Sequence, residues 1–139
     1  MKAAQKLAGD GVKFLGPLSN EKTCQEIALA DFYVQLSSDF VTSVPGGEYV
    51  HSEGMGRSIL EAISAGTFVI AGQCGALKEV VYNDRGVLLP LEEKTLTSKI
   101  EELIVSPPHR GAPTSCYSWE KLFLQYEKYY ESLGSNRKM

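Results

Sequence analysis

The chain has 139 residues, of which 43% are hydrophobic and 22% are charged, and its formal net charge is −3. This length fits one domain with its own core, and the composition is ordinary for a globular protein. A weakly acidic chain has no overall attraction for nucleic acid or anionic lipid, so we expect local donors to hold any anionic ligand. We predict one domain over residues 1–139, with a polar tail at residues 135–139.

Three cysteines, Cys24, Cys74 and Cys116, are scattered along the chain without metal-ligand spacing. An odd number of scattered cysteines favours free thiols in a reducing compartment. No apolar run is long enough to cross a bilayer, and the first residues lack the apolar core of a signal peptide. These patterns predict a cytoplasmic protein with no metal site.

Glycine and proline divide the first half of the chain into short predicted elements. In chain order these are a helix over residues 2–8, a strand over Val12–Leu15, a helix from about Asn20 to Ala30 and a strand over Phe32–Leu36. A long polar loop is predicted next, from Ser37 to Ser52. Loops of this length inside compact domains are usually functional or mobile.

The second half of the chain continues the alternation of helix and strand. The predicted elements are a short helix after Gly56, a strand over Phe68–Ala71, a short helix over Ala76–Val81, a strand over Val87–Leu89, an amphipathic helix over Glu92–Val105 and a final helix over Ser118–Leu133. Strands that alternate with helices favour a parallel sheet covered on both faces. We therefore predict an α/β fold, a three-layer α/β/α Rossmann-like domain with at least four parallel strands.

The stretch from Glu53 to Ala71 carries the candidate site. It opens with a glycine-rich turn, at which a ligand can approach the backbone closely. The helix that follows directs its unpaired N–H groups at any bound anion. Glu53 and Glu61 flank this turn, and carboxylates accept hydrogen bonds from sugar hydroxyls. The stretch predicts a site for a phosphate with a sugar beside it.

The same stretch resembles a known family. Glu53 to Glu61, followed by Ala62, Gly66 and the strand Val69–Ala71, resembles the E-x7-E signature of retaining glycosyltransferases with the GT-B fold. The most similar group is group 1, glycosyltransferase family 4. Other segments resemble this family in the same order, namely Val12–Gly16, Ala30–Ser38, Gly75–Val81 and Ser118–Glu120. The resemblance runs from about Val12 to Leu133, and the ordered set of motifs makes it specific.

The resemblance implies a role for each acid. Glu53 matches the glutamate near the donor sugar and its phosphate, so it is the candidate catalytic residue. Glu61 matches the glutamate that binds the ribose hydroxyls of the nucleotide. The residues between them that are implied to contact the donor through the backbone or a side chain are Gly54, Met55, Gly56 and Arg57. Arg57 departs from the family, which usually has an aliphatic residue at this position.

Two further residues complete the predicted donor site. The resemblance implies that the backbone at Leu18 contacts the edge of the base. Ser37 ends a strand on the side where open α/β sheets bind ligands. Each has a simpler alternative, because Leu18 can be only a turn residue and Ser37 can serve only to shape its loop.

The acids and Arg57 also have alternatives that need no ligand. Ser58 and Glu61 have the spacing of a capping box, in which the glutamate bonds back to the backbone of the serine. Arg57 can pair with Glu61 one turn away or contact a diphosphate directly. Glu53 can be a solvated loop acid, and we expect His51 and His109 to be solvated loop residues.

The function implied is transfer of a hexose from a nucleotide-diphosphate sugar (UDP-, GDP- or ADP-linked) to an acceptor, with retained anomeric configuration. The family's C-terminal domain begins with a strand and a helix that carry an Arg and a Lys for the diphosphate, and this sequence starts after them. We therefore expect a piece of a longer enzyme, inactive alone, whose N-terminal GT-B domain holds the acceptor and makes any peripheral membrane contact. No cofactor besides the donor, and no nucleic acid, is expected.

Two other functions stay open from the sequence. One is a nucleotide-sugar-binding module without transfer activity. The second is a GT-B-fold 2-epimerase that acts on a nucleotide sugar. The sequence does not set the base, the sugar, the acceptor or the oligomeric state.

Overall fold

Helices and strands alternate along the chain in the computed structural model, which describes residues 2–115 and 118–135. The helices are α1 (Lys2–Leu7), α2 (Asn20–Leu29), α3 (Arg57–Ser64), α4 (Leu77–Val80), α5 (Glu93–Val105) and α6 (Trp119–Ser135), with a 3-10 turn at Asn83–Arg85. The strands are β1 (Phe32–Gln35), β2 (Phe40–Val44), β3 (Gly47–His51), β4 (Phe68–Gly72) and β5 (Gly86–Leu89). The α/β class predicted from the sequence is confirmed.

Three parallel strands form the central sheet, in the order β1–β4–β5. Val34 in β1 lies opposite Ile70 in β4, which in turn lies opposite Val87 in β5. Because the strands are parallel, their carboxyl ends share one edge of the sheet, and the segments after β1 and β4 both begin there. This edge is where the candidate site forms.

Alternate residues of β4 pack into two separate cores, because successive side chains of a strand point to opposite faces. Val69 and Ala71 belong to a core with α2, α3 and α4, whose other members are Ile27, Ile59, Ala62, Ile63, Cys74, Leu77 and Val81. Ile70 packs on the opposite face with Leu89 and with Leu103 of α5. Helices therefore cover both faces of the sheet, which confirms the three-layer Rossmann-like arrangement.

The predicted strand at Val12–Leu15 is wrong, and the described part of the chain has three parallel strands rather than at least four. A strand requires a neighbouring strand to satisfy its backbone N–H and C=O groups. In residues 2–115 and 118–135 no strand lies beside this segment, and Val12, Phe14 and Leu15 are all exposed. An apolar run alone therefore did not determine a strand here.

The predicted loop between Ser37 and Ser52 is also wrong, because most of it forms an antiparallel hairpin of β2 and β3. The two strands are joined by Pro45 and Gly46, and Gly46 has a φ of +98°. Proline followed by a glycine with positive φ is typical of a type II turn. The β-branched and aromatic residues on each side of this turn are the sequence signal for the hairpin.

Hydrogen bonds from two arginines hold the segment after α5 against the rest of the domain. Arg85 donates from Nη1 to the Ala112 carbonyl oxygen over 3.0 Å. Arg110 donates from Nη2 to the carbonyl oxygen of Ala28, in the last turn of α2, and to Thr67 Oγ1. These contacts position the chain before α6.

Helix α6 leaves its aromatic side chains on the surface, with Trp119 70% exposed. Of the predicted polar tail at residues 135–139, Ser135 is the last residue of α6 and residues 136–139 lie outside the described residues, as does Cys116. None of the helices in the described part of the chain combines the length and apolar character that a membrane-spanning helix requires.

Candidate functional site

The carboxylate of Glu53 holds together the turn that leads into α3. Its Oε1 accepts hydrogen bonds from the backbone N–H of Gly56 at 3.0 Å and of Met55 at 3.5 Å. Its Oε2 accepts a hydrogen bond from Gln35 Nε2 at 3.1 Å. Glu53 is thus half-buried and bonded on both oxygens, rather than a solvated loop acid.

The first turn of α3 offers backbone donors that have no protein partner. Gly56 is the N-cap residue, with a φ of +67°, and it provides no side chain to cap the helix. Within residues 2–115 and 118–135, the N–H groups of Arg57 and Ser58 make no hydrogen bond. Unpaired donors at a helix N-terminus, together with the helix dipole, form a binding site for an anion.

A cavity of about 730 Å³ opens at this helix start. Its lining residues are Gln35, Glu53, Gly54, Met55, Gly56, Arg57, Ser58 and Glu61. The cavity therefore brings together six of the eight residues predicted for the donor site. Ser37 lies nearby, at the end of β1, and lines an adjoining cavity.

Glu61 is exposed on α3 and faces this cavity. The capping box with Ser58 is not formed, because Gly56 is the N-cap and the Ser58 hydroxyl donates instead to Gln35 Oε1 over 2.9 Å. In the described part of the chain Arg57 and Glu61 form no ion pair either. Both side chains are thus available to a ligand.

Gln35 is a residue that the sequence reasoning missed, and it connects the parts of the site. Its amide oxygen accepts hydrogen bonds from the hydroxyls of Ser58 and Tyr33, and its amide nitrogen donates to Ser37 Oγ and Glu53 Oε2. A glutamine amide has two donors and two acceptor positions, and all four are used. A polar residue inside the apolar run of β1 was the available signal.

The segment after β4 holds the glycine turn from behind. The N–H of Ala76 donates to the Glu53 carbonyl oxygen over 3.0 Å. Gly75 approaches so closely that a Cβ there would lie 2.1 Å from the same carbonyl oxygen. Leu77 packs against Gly56, where a Cβ would meet Leu77 Cδ2 at 2.6 Å. The backbone of the turn is therefore fixed by close packing as well as by hydrogen bonds.

A second cavity, of about 380 Å³, adjoins Glu53 at the base of the hairpin. Its lining residues are Leu36, Ser37, Ser38, Phe40, His51, Ser52 and Glu53. His51 was expected to be a solvated loop residue, but it lies in β3 and stacks on Phe40. His109 is exposed in the segment after α5, as expected.

Leu18 is the one predicted donor-site residue that the structure does not bring to these cavities. It lies in the loop before α2, 37% exposed, and it is absent from the described lining of both cavities. Its contact with the base stays a prediction.

The charges around the first cavity are mixed. Glu53 and Glu61 contribute two carboxylates, and Arg57 contributes one cation. Behind the turn, burial raises the pKa of the Cys74 thiol above its ordinary value, and the nearby Asp39 and Glu53 carboxylates add to the increase. In the part of the chain that is described, no three His, Cys, Asp or Glu side chains are grouped as metal ligands.

A family model for the glycosyl transferases group 1 matches residues 1–114. The match covers most of the chain, including the central sheet and both cavities, and the chain belongs to this family. It is therefore a glycosyltransferase domain of group 1. The comparisons with curated proteins and with solved structures give no match.

Proposed function

We propose that the cavity at the start of α3 binds a nucleotide-diphosphate sugar, as the donor-binding part of a retaining GT-B glycosyltransferase of family 4. One observation carries this proposal. The carboxylate of Glu61 faces the same cavity as the unpaired N–H groups of Arg57 and Ser58, with no partner for it in the described residues. A nucleotide diphosphate requires an acceptor for its ribose hydroxyls next to N–H donors for its phosphate oxygens, and this cavity has both.

The diphosphate is proposed to lie against the first turn of α3. The N–H groups of Arg57 and Ser58 donate to its oxygens, and the Arg57 guanidinium adds a charge-assisted contact. When the bond to the sugar breaks, negative charge grows on the departing diphosphate. The positive end of a helix stabilises that charge without any rearrangement, which lowers the barrier.

The two glutamates take different roles in this proposal. Glu61 binds the ribose hydroxyls, since it is exposed and one turn inside the helix. Glu53 lies next to the donor sugar and is the candidate catalytic residue. Its Oε1 already accepts from Met55 and Gly56, but its Oε2 accepts only from Gln35 in the described residues, and a carboxylate oxygen accepts more than one hydrogen bond, so Oε2 can still receive a sugar hydroxyl.

The acceptor is proposed to be held by a separate N-terminal GT-B domain. The cavity at α3 has one arginine against two glutamates, so further cations must balance the charge of a bound diphosphate. We therefore expect no sugar transfer by this chain alone, because the acceptor and the second wall of the cleft are needed to position the reactants.

Ligand binding to the chain tests this function. A thermal-shift screen against UDP, GDP, ADP and their sugars identifies the base, and calorimetry then measures the affinity. We expect a Kd of about 100 μM or weaker, which corresponds to a binding free energy of about −5.5 kcal/mol or one that is less negative. Nanomolar binding, or no binding of any nucleotide at millimolar concentration, would contradict the proposal.

A further inference from the structure

The hairpin of β2 and β3 carries a cluster of rings on one face. Phe40 and His51 lie opposite each other in the register, and their rings stack with centroids 4.3 Å apart and planes 11° apart. The ring of Tyr49 meets His51 edge-on, with centroids 4.6 Å apart. Phe40 and Tyr49 are each more than half exposed. The hairpin thus presents an open aromatic surface, which we call the ring cluster (Phe40, Tyr49 and His51).

The base of the hairpin is held in a fixed relation to the site. Ser52 donates from its hydroxyl to Asp39 Oδ1 over 2.6 Å, which closes the two ends of the hairpin against each other. The N–H of Gly75 donates to Asp39 Oδ2 over 3.4 Å. Because Gly75 also packs directly against the Glu53 backbone, the ring cluster and Glu53 are positioned by the same segment.

The cavity of about 380 Å³ between the ring cluster and Glu53 combines two kinds of surface. Phe40 and His51 line the cavity with their stacked rings, and the hydroxyls of Ser37 and Ser52 with the Glu53 carboxylate supply polar groups. A pyranose ring has a matching division, with an apolar face of C–H groups and an edge of hydroxyls. The negative face of an aromatic ring attracts C–H groups, and the carboxylate accepts the hydroxyls.

We propose that this cavity is a subsite for a hexopyranose ring, which stacks on the ring cluster and turns its hydroxyls toward Ser37 and Glu53. This inference rests on the proposed function, because it adds a sugar contact to the same site. The hexopyranose can come from two sources with the same chemistry, namely the sugar carried by the nucleotide and the sugar of the acceptor. Val41 and Val50, on the opposite face of the hairpin, take no part.

Proton NMR of the histidine rings tests the subsite directly. The chain has two histidines, and His109 lies in the segment after α5, so it serves as an internal control for His51. At constant pH, the probes are UDP, GDP and ADP, the corresponding nucleotide sugars, and the methyl glycosides of glucose, galactose and mannose. A bound sugar is expected to shift the His51 signals in a saturable way and to leave those of His109 in place.

The probe that moves His51 identifies the source of the sugar. A shift with a nucleotide sugar, but not with its diphosphate, supports the donor sugar as the occupant. A shift with a methyl glycoside while the diphosphate is bound, and none with the nucleotide sugar, supports the acceptor sugar. The absence of any His51 shift with all sugar probes overturns the subsite, even where the diphosphates bind and the proposed function stands. A glycoside shift without any diphosphate binding supports the subsite and contradicts the donor site.

Two matched variants test whether the rings are responsible. Phe40→Leu keeps apolar bulk but removes the ring face. It is expected to raise the sugar concentration at half-saturation of the His51 shift (the midpoint) by roughly two- to tenfold. Val41→Ala changes the opposite face of the same strand, and it is expected to leave the midpoint unchanged. Circular dichroism and thermal melts of both variants show that the fold is kept. Equal losses in the two variants, or none in Phe40→Leu, overturn the proposal.

Discussion

The side-chain amide of Gln35 donates from Nε2 to Glu53 Oε2 over 3.1 Å, and this bond joins the end of β1 to the turn that starts α3. The residues are 18 positions apart in the sequence. Through the same amide, Gln35 also bonds to Ser58 of α3 and to Ser37. With Tyr33 as a fourth partner, the geometry of the site depends on one neutral side chain that bonds to four others.

Replacing Gln35 by leucine removes this connection at nearly constant size. We expect the free energy of unfolding to fall by about 1–3 kcal/mol, because half-buried partners lose their hydrogen bonds. Nucleotide-sugar affinity should fall as well, since Glu53 and the start of α3 are no longer held. Urea denaturation and calorimetry measure the two effects. Gln73→Leu is the control, because in the described part of the chain the Gln73 side chain makes one exposed hydrogen bond, to the Leu88 carbonyl oxygen.

Glu61→Gln tests the ribose contact. The amide keeps the size of the carboxylate but loses its charge and half of its acceptor positions. We expect nucleotide binding to weaken by about 1.5–3 kcal/mol, the range for hydrogen bonds to a charged group. Stability should not change, because Glu61 is exposed and the capping box is not formed. Glu101→Gln on α5 is the control, and unchanged affinity in Glu61→Gln would remove the ribose role.

Arg57→Gln tests the charge-assisted contact with the diphosphate. Because Arg57 is exposed, we expect an affinity loss of up to about 1 kcal/mol, roughly fivefold. The loss should shrink as salt is added, since ions screen an exposed pair. Calorimetry at low and high ionic strength measures both quantities, with Lys22→Gln on α2 as the control. An identical salt dependence in wild type and Arg57→Gln would contradict this contact.

Gly75→Ala should damage the site through the backbone. The new Cβ would lie 2.1 Å from the Glu53 carbonyl oxygen, and the φ of +44° is one that alanine rarely adopts. The strained φ costs about 1–2 kcal/mol by itself, and the clash must displace Glu53. Thermal unfolding should show a large decrease. Gly54→Ala, where the Cβ meets nothing within 4 Å, should be tolerated, so equal melts for the two variants would refute this packing.

The Cys74 thiol makes stability depend on pH in one direction. Burial, and then the Asp39 and Glu53 carboxylates, raise its pKa in the folded chain above the ordinary value of 9.0. The unfolded chain therefore loses this proton first. The protonated thiol therefore contributes its full share to the free energy of unfolding below the pKa of the unfolded chain. This share is lost as the pH rises from there through the pKa of the folded chain.

Urea unfolding between about pH 8 and pH 10 measures this contribution. Stability should fall less steeply with pH in Cys74→Ala than in wild type, whatever the cost of the lost core volume. Cys24→Ala is the control, because the Cys24 thiol is exposed. The same pH slope in all three proteins would show that Cys74 does not titrate differently in the folded state.

Periodicity was enough to predict the elements whose apolar residues are buried in the two cores. The buried run of β4 and the apolar stripe of α5 both lie where the sequence placed them. Val12–Leu15 is also largely apolar, but a strand requires a neighbouring strand as well, and local residues do not specify one. The hairpin was missed for a different reason, because the Pro45–Gly46 turn and the polar residues around it are also typical of a loop.

The candidate site was predictable where its residues follow one another in the chain. The turn from Glu53 to Arg57 belongs to one motif, and the cavity contains all of it. Gln35 was missed because its partners, Glu53 and Ser58, lie 18 and 23 residues away and meet it only after the sheet forms. The spacing of residues in a motif predicts contacts within one segment, but it does not predict contacts between segments that are distant in the sequence.

Strand β1 is an edge strand, with β4 as its single neighbour in the described sheet. The N–H and C=O groups along the other edge of Phe32–Gln35 have no strand to bond with, and Val34 on this edge strand is about half exposed. An open edge of this kind pairs readily with another copy of itself. We therefore expect the monomeric state to depend on the protein concentration in solution as well as on the stability of the fold.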